Sequence, residues 1–309
     1  MNLHSFLKLV RYPNLLMVLV TLILTKYALV HSFVPVSILN DFDFILLASS
    51  ILFITAGGYV INDVCDIETD TINKPNKVLV GKSIPVETAY KTYKFLTFFG
   101  VVLGIFASYH KGVLSYSLLF TGIAISLYVY AKFLKRTPLF GNILVAFCVS
   151  FIILILLLFE RPDVLPKSLF SVFQQLFTSI GITTAATIYI IFSFLSTLIR
   201  ELVKDIEDMK GDHAQKMRTL PLVIGTQRAN KFILLLTLIL VVFLIYVLKT
   251  ELIIYPYFLG YTVLAVLVPL LYFMYKLQMA KTSAHYHHLS SLLKLIMVLG
   301  IASMLFFNF

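Results

Sequence analysis

The fold of this chain is decided by the stretch Gly57-Gly58-Tyr59-Val60-Ile61-Asn62-Asp63-Val64-Cys65-Asp66-Ile67-Glu68-Thr69-Asp70. It begins as the end of a long apolar run and finishes as a polar segment whose aspartates have the spacing i, i+3 and i+7. On a helix this spacing puts all three carboxylates on one face within two turns, and the amide of Asn62 joins that face. Carboxylates this close repel one another unless a cation is bound, so the stretch predicts a cation site.

The same spacing recurs in Arg200-Glu201-Leu202-Val203-Lys204-Asp205-Ile206-Glu207-Asp208-Met209-Lys210-Gly211-Asp212. Each aspartate of this second stretch follows its counterpart in the first by 142 residues. The repeat predicts a parallel internal duplication within one domain, 1–309, whose halves are about 1–131 and 139–275. The polar segments 62–93 and 200–231 are the longest of the chain, and we expect them to cap the site.

The composition excludes a soluble enzyme and a disordered chain. Hydrophobic residues make up 60% of the chain and charged residues only 13%, against about 45–50% and 25% in soluble domains. Nine apolar stretches have the length of membrane spans; they cover residues 14–31, 44–61, 94–110, 113–131, 139–159, 177–199, 232–248, 253–275 and 291–308. The sequence therefore predicts an all-α, polytopic membrane protein with about nine transmembrane helices around a central cavity.

The distribution of lysine and arginine predicts the orientation. With the N-terminus inside, the inside segments hold 20 of these residues, Lys294 among them, and the outside segments hold 4, as the positive-inside rule requires. This predicts an N-in, C-out protein of the cytoplasmic (inner) membrane whose acidic stretches face the cytoplasm. This distribution also explains the net charge of +10, so the charge does not indicate a nucleic-acid partner. Lys26 falls within the first span, and we expect its side chain to snorkel, with the ammonium directed to the membrane surface. The run Leu15–Leu24 has no signal-peptide cleavage motif after it, so we expect it to be a retained span.

The donor atoms indicate the ligand. The candidate metal ligands are all oxygen donors, namely the amide of Asn62 and the carboxylates of Asp63, Asp66, Asp70, Asp205, Asp208 and Asp212. Oxygen-only sets suit hard cations, above all Mg²⁺, which binds proteins through a few carboxylates together with phosphate oxygens. Lysines and arginines flank both stretches, so the pattern predicts Mg²⁺ and a bound diphosphate. Cys65 and Cys148 form no disulfide framework and are interpreted as packing residues.

On these motifs the chain resembles the UbiA-type intramembrane prenyltransferases. Their Asn-Asp-x-x-Asp-x-x-x-Asp motif after the second span corresponds to Asn62–Asp70, and their second aspartate-rich motif, after the sixth span, to Asp205–Asp212. Matching segments include Arg11-Tyr12-Pro13-Asn14, Asn73-Lys74-Pro75, Tyr130–Lys135, and Thr219-Leu220-Pro221 with Gly225. The family usually has an arginine where this chain has Lys77, which keeps the charge but loses bidentate phosphate binding. Within the family, the second motif is most similar to that of the digeranylgeranylglyceryl phosphate synthase branch.

The resemblance implies Mg²⁺-dependent transfer of a polyprenyl group from its diphosphate to a hydrophobic acceptor in membrane lipid. In that branch the group is geranylgeranyl, the acceptor is geranylgeranylglyceryl phosphate, and the donor ionises to an allylic cation. The resemblance also implies catalytic roles for Asp66, Asp205 and Asp208. The donor-binding set that it implies comprises Asn14, Lys74, Lys77, Tyr130, Lys132, Lys135, Arg136, Arg200 and Lys204. No obligate protein partner is expected.

Two other functions remain open from the sequence alone. An aromatic prenyltransferase of quinone, tocopherol or chlorophyll biosynthesis would have related motifs and a different acceptor pocket. A membrane ion transporter is the remote alternative, since acidic residues in membranes often mark ion pathways, although the acids of both stretches lie at the ends of spans. The group His285, His287 and His288 has no accompanying cysteine or acid in the sequence and is interpreted as surface histidines.

Overall fold

The computed structural model describes residues 2–33, 37–76, 78–160, 182–250 and 256–308. Within these ranges the regular structure is helical, apart from one isolated β-bridge between Val80 and Ile84. The helices in chain order are α1 (Leu3–Leu9), α2 (Tyr12–Phe33), α3 (Asp41–Cys65), α4 (Ile67–Asn73), α5 (Val86–His110), α6 (Leu114–Lys132), α7 (Phe140–Glu160), α8 (Ile182–Glu207), α9 (Met209–Ala214), α10 (Leu220–Ile224), α11 (Thr226–Thr250), α12 (Pro256–Met279) and α13 (Ser283–Phe307).

Nine of the helices in the described ranges are long and apolar enough to cross a membrane, which confirms the predicted all-α, nine-span fold. The third and ninth spans begin earlier than predicted, at Val86 and Ser283 instead of residues 94 and 291. Polar side chains in their first turns concealed these beginnings from an analysis of hydropathy. Lys294 therefore lies inside a span, not in an inside segment before it. Residues 177–181 and 253–255 of two predicted stretches lie outside the described residues.

The span α3 packs closely along α5, and glycines line the contact. A Cβ on Gly100 would lie 2.9 Å from the backbone nitrogen of Ile54, and a Cβ on Gly57 would lie 2.4 Å from Thr97 Oγ1. Ser50 Oγ donates a hydrogen bond of 2.6 Å to the carbonyl of Gly100. Small residues that let backbones approach are the usual basis of helix packing in membranes. This contact positions α3, and with it the first acidic stretch.

The span α8 is the central helix of the second half, where α7, α11 and α13 pack against it. Its residues Ile199 and Leu202 are buried in a core that also includes side chains of α11, α12 and α13. Gly300 of α13 lets the ring of Phe192 approach, since a Cβ there would lie 2.3 Å from a ring atom. The second acidic stretch therefore also follows a helix that is held from several sides.

Lys26 does not snorkel, contrary to the prediction. Its side chain is only 2% exposed, and its Nζ donates to Asp41 Oδ1 over 2.7 Å. The ammonium also lies 4.7 Å from the ring centre of Tyr27 and 4.8 Å from that of Phe44. The physical reason is that α3 begins beside it with a carboxylate, so the charge is satisfied within the protein. This pair lies at the end of α3 opposite to the acidic stretch.

Candidate active site

Each acidic stretch covers the end of one long helix and the short helix that follows it. One residue divides the two helices in each case, Asp66 between α3 and α4 and Asp208 between α8 and α9. These two residues have nearly equal backbone angles, φ −97° and ψ 3° for Asp66 and φ −95° and ψ 4° for Asp208. Backbone hydrogen bonds from residue i+4 to residue i continue across both divisions. The predicted grouping of the aspartates within two turns is therefore kept.

The short helices α4 and α9 pack against each other and bring the two acidic stretches together. Asn73, the last residue of α4, donates from Nδ2 to the carbonyl of Asp208 over 2.8 Å and accepts from the backbone nitrogen of Gly211 over 2.8 Å. A Cβ on Gly211 would lie 2.5 Å from Asn73 Nδ2 and 2.8 Å from the carbonyl oxygen of Thr69. Only glycine fits this position without displacing α4. This part of the contact between the stretches is thus made by backbone groups and one amide.

Two lysines of the predicted donor-binding set bind the middle aspartates. Lys135 Nζ donates to Asp66 Oδ2, which also accepts from Asn62 Nδ2 over 2.6 Å. Lys74 Nζ lies 2.7 Å from Asp208 Oδ1. Burial by itself would lower the pKa of Lys135, but the nearby carboxylate of Asp66 outweighs it and raises that pKa above its usual value. Lys135 is therefore a permanent cation at the site.

The first aspartate of each stretch is bound by a residue that the sequence did not single out as a ligand. Asp63 forms an ion pair of 2.5 Å with Arg11, and Asp205 accepts a hydrogen bond of 2.9 Å from Asn142 Nδ2. Burial would lower the pKa of Arg11, but the charge of Asp63 outweighs it and raises that pKa. Arg11 also lies over the ring of Tyr59, 5.3 Å from its centre. These contacts connect the chain before α2 to the first stretch.

The last aspartate of each stretch has a pKa that is raised chiefly by burial. Burial raises the pKa of Asp212 to about 7, and the nearby carboxylates of Asp208 and Asp66 add to this rise. Burial and the charge of Asp66 also raise the pKa of Asp70. The nearby lysines act in the opposite direction and do not cancel these effects. In the described ranges three of the six aspartates form an ion pair, with Arg11, Lys74 and Lys135. The site therefore holds more carboxylate than these cations neutralise, as expected of a site that binds a further cation.

Mg²⁺ fits these residues by donor type and by charge. Besides the carboxylates, Asn62 Oδ1 is buried and has no hydrogen-bond partner. In the described ranges, however, no three acidic, histidine or cysteine side chains surround one point closely enough to hold an ion by themselves. Mg²⁺ usually takes one or two protein carboxylates and completes its coordination with substrate phosphates and water. The donor set thus suits a metal that binds together with a phosphorylated substrate.

Other members of the predicted donor-binding set have different surroundings. Tyr130 lies near Lys135 and acidic residues of both stretches. Lys132 is exposed and donates to the hydroxyl of Tyr128 over 3.2 Å, so its side chain does not reach the aspartates. Arg136 is also exposed, and its carbonyl accepts a hydrogen bond from the backbone of the loop after α9. Lys77 lies outside the described residues.

The remaining members, Asn14, Arg200 and Lys204, contact residues other than the aspartates. Arg200 Nη1 lies 3.0 Å and Lys204 Nζ 2.9 Å from Glu201. Asn14 Oδ1 accepts a hydrogen bond of 2.7 Å from Lys294. Arg200 precedes the first aspartate of its stretch by five residues, which is about 7.5 Å along a helix. Arg200 therefore lies on the membrane side of the aspartates.

Several residues of the site are not among the predicted site residues, namely Arg11, Asn73, Asn142, Glu201 and Lys294. A usable signal existed for three of them. Arg11 and Asn73 stand in segments that match the family, and Lys294 is a charged residue within a predicted span, where such residues usually have a function. No local pattern could have found the contact of Asn142, because its partner is 63 residues away.

Known proteins resemble this chain in sequence. The profile of the UbiA prenyltransferase family matches residues 15–301. A digeranylgeranylglyceryl phosphate synthase of Metallosphaera sedula is 32% identical over 244 residues, which are 78% of this chain and 75% of that protein. The synthase of the same name from Methanoculleus marisnigri is 32% identical over 232 residues, 75% of this chain and 72% of that protein. The one from Korarchaeum cryptofilum is 34% identical over 185 residues, 60% of this chain and 57% of that protein.

Solved structures share the fold. A structure described as giving insight into digeranylgeranylglyceryl phosphate synthase in membranes has a TM-score of 0.63 at 24% identity and covers 98% of both chains. A UbiA homologue of Archaeoglobus fulgidus, bound to DMAPP and Mg²⁺, has a TM-score of 0.58 at 16% identity and covers 97% of this chain and 99% of its own. At these identities the likeness extends to the fold alone. The predicted family resemblance is confirmed by the sequence matches.

Proposed function

The chain belongs to the UbiA prenyltransferase family, and on that premise we propose that it transfers a geranylgeranyl group from its diphosphate to geranylgeranylglyceryl phosphate. It is a multi-pass integral membrane enzyme, and its cofactor is Mg²⁺, the metal bound with prenyl diphosphates in homologues. The relatives named digeranylgeranylglyceryl phosphate synthase support this choice of donor and acceptor. The reaction forms an ether bond between the glycerol hydroxyl and the first carbon of the prenyl chain, and it releases diphosphate.

One observation carries the proposal, the contact of the two acidic stretches through Asn73. It places carboxylates of both stretches and the lysines Lys74 and Lys135 around one region at the ends of α3 and α8. A diphosphate needs such an arrangement, because its charge has to be neutralised from more than one side. A single acidic helix end would bind a cation without providing a place for the leaving group.

The proposed metal ligands are the seven oxygen-bearing residues of the two stretches, Asn62, Asp63, Asp66, Asp70, Asp205, Asp208 and Asp212. When bound, Mg²⁺ neutralises the charge that develops on the diphosphate as the allylic C–O bond breaks. Lys135 and Lys74 pair with the carboxylates of Asp66 and Asp208. When the diphosphate is bound, each lysine can donate to a phosphate oxygen instead of to that carboxylate and so stabilise the leaving group.

The acceptor hydroxyl has to lose its proton when it captures the allylic carbon. Asp66 and Asp208 are paired with lysines, whereas Asp205 is bound by the amide of Asn142. An aspartate without a lysine partner is the better proton acceptor. Among the three aspartates with catalytic roles we therefore assign the role of general base to Asp205, which would act through a carboxylate oxygen that the metal leaves free, and roles in metal and diphosphate binding to Asp66 and Asp208.

Two further points belong to the same proposal. The lysine and arginine distribution supports an N-in, C-out orientation with the active site at the cytoplasmic face of the inner membrane. The equal backbone angles of Asp66 and Asp208 support an internal duplication of about 1–131 and 139–275, with 62–93 and 200–231 as caps over the site.

The proposal is tested with a set of acceptors. The full chain is purified in mild detergent with Mg²⁺ and geranylgeranyl diphosphate and offered geranylgeranylglyceryl phosphate, 4-hydroxybenzoate, 1,4-dihydroxy-2-naphthoate or homogentisate. Mass spectrometry then identifies the prenylated product. Product with the glycerol phosphate alone is the expected result. Product with an aromatic acceptor alone would be compatible with the metal site but would show that the protein acts in quinone-type synthesis. Failure with every acceptor would favour the alternative of an ion transporter.

A further inference from the structure

A second group of cations lies on the membrane side of the aspartates, where α13 packs against both α2 and α8. Lys294 stands eleven residues into α13, which begins at Ser283, and this is about 16 Å along the helix. Its Nζ donates to Asn14 Oδ1 over 2.7 Å, and in the described part of the chain it forms no ion pair. A charged side chain within a span is costly and usually has a partner or a ligand.

Arg200 of α8 belongs to the same group, since α8 packs against α13 and the charge of Arg200 acts on Lys294. One side of its guanidinium binds Glu201, but Arg200 Nε is buried and has no hydrogen-bond partner. Thr197 Oγ1, one turn away on the same face of α8, is also buried and unpartnered, and Thr197 as a whole is only 3% exposed. Buried polar groups are rarely left without a partner in a complete structure. Two of them side by side indicate a ligand.

The charges of this group indicate what the ligand is. Arg200 and Lys204 share the single carboxylate of Glu201, and Lys294 contacts only an amide. In the described ranges the ion pairs of these three cations involve one carboxylate, that of Glu201. A phosphate monoester carries about −1.5 to −2 charge at pH 7, which matches this excess better than the single charge of a carboxylate does.

The diphosphate of the donor does not account for this second site. Its proposed ligands are the aspartates and the lysines beside them, whereas Arg200 lies about 7.5 Å farther along α8 from Asp205, toward the membrane interior. Two anionic groups at two depths fit a reaction in which donor and acceptor each carry phosphate. We propose that Lys294, Arg200 and Asn14, with Thr197 as a further hydrogen-bonding group, bind the phosphate monoester of the lipid acceptor.

This inference rests on the proposed function and deepens it. It assigns Asn14 and Arg200 to the acceptor instead of the donor, and it adds Lys294 as a residue that determines acceptor specificity. A glycerol lipid without phosphate would leave the cations of this site unneutralised. The site therefore selects a phosphorylated acceptor.

Kinetics of full-length variants test the role of Lys294. We expect Lys294→Met to raise the KM for geranylgeranylglyceryl phosphate roughly 10- to 100-fold, the effect of losing one hydrogen bond to a charged group. The KM for geranylgeranyl diphosphate should stay unchanged, and Lys294→Arg should restore most of the affinity for the acceptor. The control is Lys276→Met, which changes an exposed lysine of α12 in the same way. An unchanged acceptor KM, or an equal rise of both KM values, would overturn the proposal.

Binding without turnover separates this proposal from the proposed function. The Tm in detergent is measured without donor, in the presence of a single-chain glycerol lipid with a phosphate monoester or of the matching alcohol. We expect the phosphate lipid to raise the Tm of the wild type but not that of Lys294→Met, and the alcohol to act equally on both. If this difference appears while no prenyl group is transferred to the glycerol phosphate, the phosphate site stands and the proposed acceptor is wrong. If transfer occurs and the difference is absent, the phosphate site is wrong.

Discussion

Asn73 and Asp208 lie 135 residues apart and are joined by a hydrogen bond of 2.8 Å from the amide of Asn73 to the backbone carbonyl of Asp208. Because the acceptor is a backbone group, this bond does not occupy the carboxylate that is proposed to bind metal. This backbone contact holds the two acidic stretches together alongside the ion pair between Lys74 and Asp208. Such preorganisation keeps the site assembled between turnovers, when neither metal nor diphosphate holds it together.

Gly211→Ala should separate the two stretches. Its Cβ would lie 2.5 Å from Asn73 Nδ2 and 2.8 Å from the carbonyl oxygen of Thr69, and the latter is a backbone atom that cannot turn aside. We expect a loss of about 1–3 kcal/mol in stability and a turnover that is lower by roughly tenfold or more. The Tm in detergent and the rate of product formation measure the two effects.

Gly260→Ala is the matched control, because no heavy atom lies within 4 Å of the position of its Cβ. It should leave turnover unchanged and stabilise its helix slightly, by up to about 1 kcal/mol. Equal losses in both variants would show that the contact between Asn73 and Gly211 has no special role.

Asp66→Asn and Asp208→Asn test the middle aspartates. Asparagine has nearly the same size and still offers an oxygen to the adjacent lysine, so we expect both variants to fold. Loss of one charge where the diphosphate leaves should lower kcat roughly 100- to 1,000-fold. Glu87→Gln, which changes an exposed partner of Lys91 on α5, serves as the control. Near wild-type kcat in either aspartate variant is incompatible with the proposed site.

Removal of the metal should stop the reaction. Excess EDTA is expected to abolish product formation, and Mg²⁺ added beyond the EDTA should restore it. Mg²⁺ alone should raise the Tm only slightly, since no three metal-binding side chains in the described ranges surround one ion. Mg²⁺ together with an unreactive diphosphate analogue of the donor should raise it more, because the two ligands complete one site. Turnover that persists in EDTA would contradict the metal-dependent mechanism.

Asp41→Asn and Lys26→Met should have unequal effects, although the two residues form one ion pair. Lys26 is buried, whereas the side chain of Asp41 is 77% exposed. Without Asp41 a buried ammonium loses its counter-charge, but without Lys26 the carboxylate is left in contact with water. We expect the Tm to fall further in Asp41→Asn, and the double variant to resemble Lys26→Met. A larger fall in Lys26→Met would show that the lysine contributes mainly by packing.

The sequence predicted much of the site because the metal motifs are local patterns. The spacing of Asp63, Asp66 and Asp70 specifies which carboxylates share a helix face, and this grouping is kept although the helix is divided at Asp66. The prediction was weaker for the cations. Lys74 and Lys135 reach the aspartates, whereas Lys132, which looks equivalent in the sequence, is directed to Tyr128 at the surface.

By itself the sequence determined the helical class, the membrane spans and the two oxygen-rich stretches, because hydropathy and helical spacing depend only on neighbours along the chain. Only the tertiary structure decided which side chains meet. It joined Asn73 to Asp208, Asn142 to Asp205, and Lys294 to Asn14, and it buried Lys26 against Asp41. These partners come from different helices, so their distances are set by how the helices pack, and helix packing depends on the fit of whole surfaces.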